Sequence, residues 1–275
     1  MDGKLRARFV LPALVVVGVA VAGLLTSGAA SGSSPTAHTA RVAVRAAPTI
    51  VYHGLPRSFI APGQNLFELN CSSCHGFDAS GSARGPNLQG LGPATVDFWV
   101  STGRMPLANP TVQPVRKPDR FNRTQTLQIV AFVSSLAPTS PDYPPGIPVV
   151  NTAAGNISAG NSLFTLNCAG CHTITGSGDA LSNGFFAPSL HRADPRQMVE
   201  AIRTGPSNMP HFSPGTLSNQ QVTDIVAYVT GPIQHPHNVG GLGLGGIGPV
   251  AEGFVGLLIG VGGLMLVAFW LGDRR

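Results

Sequence analysis

The segment NLFELNCSSCH (Asn65–His75) returns as SLFTLNCAGCH (Ser162–His172), with Leu, Phe, Leu, Asn, both Cys and the final His at matching places. Three more landmarks follow in the same order. GPNL (Gly85–Leu88) is answered by APSL (Ala187–Leu190), GRMP (Gly103–Pro106) by SNMP (Ser207–Pro210), and LQIVAFV (Leu127–Val133) by TDIVAYV (Thr223–Val229). Landmarks repeated in a fixed order mean two copies of one small domain, which limits the chain to tandem folds. The copies are not identical, because the first carries an extra Pro-rich stretch, Ala108–Asp119, between its Met and its last helix.

All four cysteines, Cys71, Cys74, Cys168 and Cys171, fall in Cys-x-x-Cys-His. This is the attachment signature of c-type haem. Two thiols at this spacing reach the two porphyrin vinyl groups, and the next residue, His75 or His172, turns its imidazole to the iron from the same short helix. A zinc site would not need His after the second Cys twice. A thioredoxin-like motif needs a βαβ setting, and no alternating strand pattern surrounds these cysteines. Disulfides suit an exported chain but leave the histidines unexplained. Two covalently bound haem c groups are therefore expected.

A thioether is a soft sixth ligand, and His/Met ligation raises a haem potential into the electron-transfer range. Met105 is the single Met of the first copy. In the second copy Met209 stands at the matching place after a helix ends, whereas Met198 shares a helical face with Ile202 and reads as core filler. His191 and His211 are rivals for the second iron. His38, His53, His235 and His237 lie in tethers. An iron-bound imidazole usually donates its other N–H to a carbonyl, which fixes the ring. Pro86 and Pro188 stand at matching places for that role, since a proline backbone can only accept.

Charged residues make up 11% of the chain and are missing altogether from Phe9 to Ala40 and from Gly253 to Gly272. A membrane-crossing helix needs about 20 apolar residues. Phe254–Gly272 meets this length, is apolar all round and ends near Trp270. Lys4, Arg6 and Arg8 precede an apolar run, Phe9–Leu25, that reads as a retained anchor in preference to a cleaved signal peptide. The positive-inside rule then puts both termini in the cytoplasm and the repeats on the outer face, where c-type haem is attached. The net charge of +5 is thinly spread, with no basic block, which argues against a nucleic-acid partner.

The expected plan is a signal-anchor helix (1–27), a flexible tether (28–58), domain 1 (59–136), a Pro-rich linker (137–157), domain 2 (158–230), a Gly-rich tether (231–249), a transmembrane helix (250–272) and a cytoplasmic tail (273–275). Each copy resembles a class I cytochrome c domain, so the fold expected is all-α. The whole arrangement resembles the dihaem cytochrome c subunit (cytochrome cc) of the actinobacterial menaquinol–cytochrome c reductase, the cytochrome bcc complex. That resemblance implies a respiratory electron relay. Its partners would be a cytochrome b subunit, a Rieske iron–sulfur subunit that reduces the first haem, and a terminal cytochrome c oxidase that accepts from the second in a supercomplex. With both irons ligated by His and Met, the chain does no bond chemistry of its own.

Three other functions compete. A dihaem subunit of a cbb-type oxidase typically lacks a final transmembrane helix. A dihaem peroxidase needs an iron without a firm Met. An anchored acceptor for a periplasmic dehydrogenase has no need of the small-residue face Gly256, Gly260 and Gly263, which suits close helix packing. Glu252, at the mouth of the span, would likewise prefer a polar partner on another subunit.

Overall fold

The computed structural model describes residues 48–236 and 249–273. The expected N-terminal helix lies outside the described residues. Each repeat is built on a pair of crossing helices. In the first, α1 (Ile60–Asn70) packs on α4 (Arg123–Ser135), with the short α2 (Ser72–His75) and α3 (Pro93–Ser101) between them in sequence. In the second, α5 (Ile157–Asn167) packs on α8 (Asn219–Tyr228), with α6 (Ala169–His172) and α7 (Pro195–Thr204) between.

Both crossings use the same device. A Cβ on Gly63 would lie 1.9 Å from the Gln128 carbonyl oxygen, and one on Gly160 would lie 2.0 Å from that of Asp224. The missing side chain lets the two backbones touch. One turn on, Phe67 meets Phe132 at 5.3 Å between ring centroids, and Phe164 meets Tyr228 at 5.6 Å, both tilted. Local signals set the helix ends. Asn122 with Gln125, and Ser218 with Gln221, form capping boxes on α4 and α8. Asp194 caps α7 ahead of Pro195, and Gly205 ends that helix at φ 59°.

The fold is mainly helical, as expected, with two small two-stranded sheets added. Ile50–His53 (β1), assigned to the tether, pairs antiparallel with Ile147–Val150 (β2), assigned to the linker, in the register Ile50↔Val150 to His53↔Ile147. A small hairpin, Asp179–Ala180 (β3) with Phe186–Ala187 (β4), adds a second sheet. The β1–β2 ribbon stitches the repeats together. Ile50 precedes domain 1 in the chain yet is buried in the core of domain 2 with Phe164, Val199 and Val226. Ile147 follows domain 1 and is buried in its core with Phe67, Ile129 and Val130. A Pro-rich composition signalled a spacer. Two β-branched residues at the right register turn it into shared structure instead, because each side chain gains burial on folding.

The C-terminal apolar segment is helical over Pro249–Gly256, passes through a π-type turn at Leu257–Val261, and continues over Gly262–Gly272. Glu252–Gly272 is long and apolar enough to cross a membrane.

Candidate haem sites

Helices α1 and α5 each break at a Cys that starts the next short helix. Cys71 and Cys168 are the N-caps, and their carbonyls receive the N–H groups of Cys74 and His75, and of Cys171 and His172. The four thiols are free, and each half thus presents two thiols and an imidazole on one helical turn. Burial pushes the Cys71 and Cys168 thiols up to about 11, so both stay protonated near neutral pH, as suits an apolar pocket.

The imidazoles are held identically. His75 Nδ1 lies 2.9 Å from the Pro86 carbonyl oxygen, and His172 Nδ1 lies 2.9 Å from that of Pro188. An acceptor-only carbonyl places the proton on Nδ1 and leaves Nε2 as the free lone pair. At Gly85 a Cβ would sit 3.0 Å from the His75 ring, whereas the matching Ala187 of domain 2 accommodates the same contact with a methyl present. Burial also holds His172 below the usual histidine range, and the Pro188 contact opposes this only in part.

In domain 1, Cys71, Cys74, His75, Pro86 and Met105 line one cavity, together with Arg84. In domain 2, Cys168 and Met209 pack against a common apolar cluster. The rivals are occupied elsewhere. Met198 is buried in the core of α7. His191 Nε2 lies 2.8 Å from the Thr175 carbonyl oxygen. The His211 ring stacks on Tyr143 at 5.9 Å. His53 and His235 are exposed, and His38 and His237 lie outside the described residues. The donor set of each half, two thiols, a neutral imidazole with Nε2 free and a thioether, fits a covalently attached haem.

The residues that join the two sites were not visible as a motif. Asp97, fully buried on α3, accepts from Arg123 of its own domain and from Arg196 of α7 in the other. Arg196 also reaches Glu200 Oε1 at 3.1 Å. Burial works against the Arg196 cation, but Glu200, Asp97 and Asp194 together outweigh it and hold it charged. Glu200 is pushed well above the usual carboxylate range by burial, then by the charge of Asp97, with Arg196 pulling the other way. Gln197 Nε2 donates to the Ser101 carbonyl and hydroxyl oxygens at 3.2 and 3.3 Å. The extra stretch of domain 1 reaches across as well, its Gln113 amide pairing with both backbone groups of Phe186. The only sequence signal for this contact was a single acid inside the apolar run of α3.

The two sites and the helices around them define a dihaem c-type cytochrome. A model described as "Cytochrome c" matches residues 60–137, and one described as "Cytochrome C oxidase, cbb3-type, subunit III" matches residues 155–229. The cytochrome bc1 complex cytochrome c subunit of Mycobacterium tuberculosis is 38% identical over 275 residues, covering 98% of this chain and 93% of the relative. That of Corynebacterium diphtheriae is 37% identical, covering 79% and 82%. A cbb3-type oxidase subunit of an Azospirillum is 27% identical, covering 66% and 62%. The chain therefore belongs to the cytochrome c subunits of cytochrome bc1 complexes, with two cytochrome c domains and two covalently bound haem c groups.

Proposed function

We propose that this chain is the membrane-anchored dihaem relay of a menaquinol-oxidising cytochrome bc complex. In this reading it takes electrons from the Rieske iron–sulfur centre beside a cytochrome b subunit and delivers them to a terminal cytochrome c oxidase in a supercomplex. Cys71 and Cys74 hold the first haem and Cys168 and Cys171 the second. His75 with Met105, and His172 with Met209, would ligate the two irons. When bound, the haems supply the one-electron exchange.

The chain's own residues do the rest. The Pro86 and Pro188 carbonyls orient the imidazoles and keep the proton on Nδ1, so that each Nε2 would be free to ligate iron without a tautomer change. Apolar cores exclude water from the sites. The domains are taken as 59–136 and 158–230. The last helix (250–272) and the N-terminal segment (1–27) anchor them on the outer face, with both termini in the cytoplasm. Gly256, Gly260 and Gly263 offer a close-packing face to the cytochrome b subunit.

The observation that carries this reading is the duplicated His–Pro contact, 2.9 Å in both halves, in a chain whose relatives are bc1 subunits along most of their length. Two sites that share the Cys-x-x-Cys-His turn and the His–Pro contact suit two redox stations better than one station and one catalytic haem. The cbb-type reading draws on the match over residues 155–229, but the cbb3-type relative is less identical and less completely covered.

Purification in mild detergent tests the assignment. Co-purified cytochrome b, iron–sulfur and oxidase subunits are expected, with excess quinol reducing both haems. A chain that purifies alone from intact membranes, or haems that quinol does not reduce, would overturn it.

A further inference from the structure

Among the described residues Arg203 is the largest fully buried side chain, and it is a cation that meets no carboxylate in its hydrogen bonds. It sits in the last turn of α7. Its Nη1 donates to the carbonyls of Phe212 at 2.9 Å and Leu217 at 2.6 Å, and its Nη2 donates to Asn219 Oδ1 at 2.8 Å. Its Nε has no hydrogen-bond partner. Burying a guanidinium on neutral acceptors alone is expensive, so a specific gain must hold it there.

The gain lies in what those acceptors are. Phe212 follows Met209-Pro210-His211, and Leu217 and Asn219 flank the cap of α8. The fork therefore grips the segment between α7 and α8 from inside. The segment's other ties include the stack of His211 on Tyr143 and the packing of Phe212 and Leu217 into the domain core, none of which supplies its carbonyls with donors. Met209 N–H bonds Pro206 within the loop, and Phe212 N–H reaches back to Ile202. Only the planar, permanently charged fork of Arg can satisfy acceptors from both sides at once.

The corresponding residue of domain 1, two before the glycine that ends the helix, is Ser101. It is used differently, as the acceptor for Gln197 of the other domain. The position thus has two jobs, and in domain 2 it faces the Met-bearing loop.

We propose that Arg203 is the positioning residue of Met209: its buried guanidinium pins the loop that presents the thioether, so that the second haem keeps its sixth ligand against competitors. This rests on the reading of Met209 as that ligand.

The test uses the full-length, detergent-solubilised ferric holoprotein and imidazole as the competing ligand, read by the methionine-to-iron charge-transfer band. In Arg203→Met, half of that band should be displaced by imidazole at a concentration on the order of tenfold lower than in the native protein, because buried acceptors lose their donors. The half belonging to the first haem should not move. Arg203→Lys keeps the charge without the fork and should lie between.

Met209→Leu serves as the control. If it leaves the band whole, the ligand assignment is wrong and not merely the role of Arg203. If it removes half the band while Arg203→Met titrates like the native protein, the positioning role is refuted. Should Arg203→Met fail to accumulate, Arg203→Lys decides, and native imidazole affinity at both haems would refute the proposal.

Discussion

The two halves agree closely from Gly63 to His75 and from Gly160 to His172 and share the His–Pro contact, the second adds the β3–β4 hairpin before Pro188, and they part company at the methionine loops. In the first half the loop is held from outside. Lys117, from the extra stretch, lies over it. Its N–H bonds the Thr102 carbonyl, its ammonium reaches the Pro106 carbonyl, and a Cβ on Gly103 would strike the Lys117 carbonyl oxygen at 2.3 Å. In the second half the loop is held from inside by Arg203. The difference shows where duplication leaves freedom. The Cys-x-x-Cys-His helix and the glycine crossing answer to covalent geometry and close packing, so they repeat. The methionine loop needs only to be fixed, and either cation can do that.

The first prediction concerns independence of the halves, and its effect is the largest. Cys71→Ala with Cys74→Ala should remove one of two covalent haems by intact mass and abolish quinol-driven electron transfer, leaving the second haem attached. Loss of both haems would mean that the halves mature as one unit. Next in size is the shared crossing. Gly63→Ala and Gly160→Ala should each destabilise their domain by about 3 kcal/mol, since a methyl cannot enter at 1.9–2.0 Å from a carbonyl oxygen. Thermal unfolding checks this, and a large inequality would break the symmetry argued here.

A smaller effect separates joined from merely adjacent domains. Asp97→Ala leaves the half-buried Arg196 without its partner in the other domain and should cost about 2 kcal/mol. Calorimetry should then resolve two transitions where the native protein gives one. The smallest concerns Glu200. Its carboxyl is raised in the folded state, so the folded chain holds a proton that the unfolded chain has released once the pH passes the ordinary carboxylate range. Stability from this group is complete below that range and falls as pH rises through the folded pKa. Glu200→Gln should flatten that decline and be more stable by ~1 kcal/mol at pH 8, measured by denaturant unfolding.

Much of this was legible in the residues themselves. The repeat gave the two cytochrome c domains, and the position of Pro86 and Pro188 between motif and methionine gave the imidazole acceptors. Gly63 and Gly160 were overlooked although they recur at one place in the repeat. A glycine four residues before the repeated Phe is a signal for close helix crossing. The ribbon was hidden because Ile50 and Ile147 sit in Pro-rich surroundings, and pairing across nearly 100 residues leaves no local trace. Asp97 and Arg196 were unreadable for the same reason, since an ion pair between domains depends on packing and not on spacing.

The central claim is that two sites of one design carry His/Met haems whose thioethers come from Met105 and Met209. Near-infrared magnetic circular dichroism of the ferric protein tests it directly. Native protein should give the methionine-to-iron band at two haems' intensity, and Met105→Leu and Met209→Leu should each remove about half. A band of one haem's intensity in the native protein, or a variant that leaves it unchanged, would contradict the account.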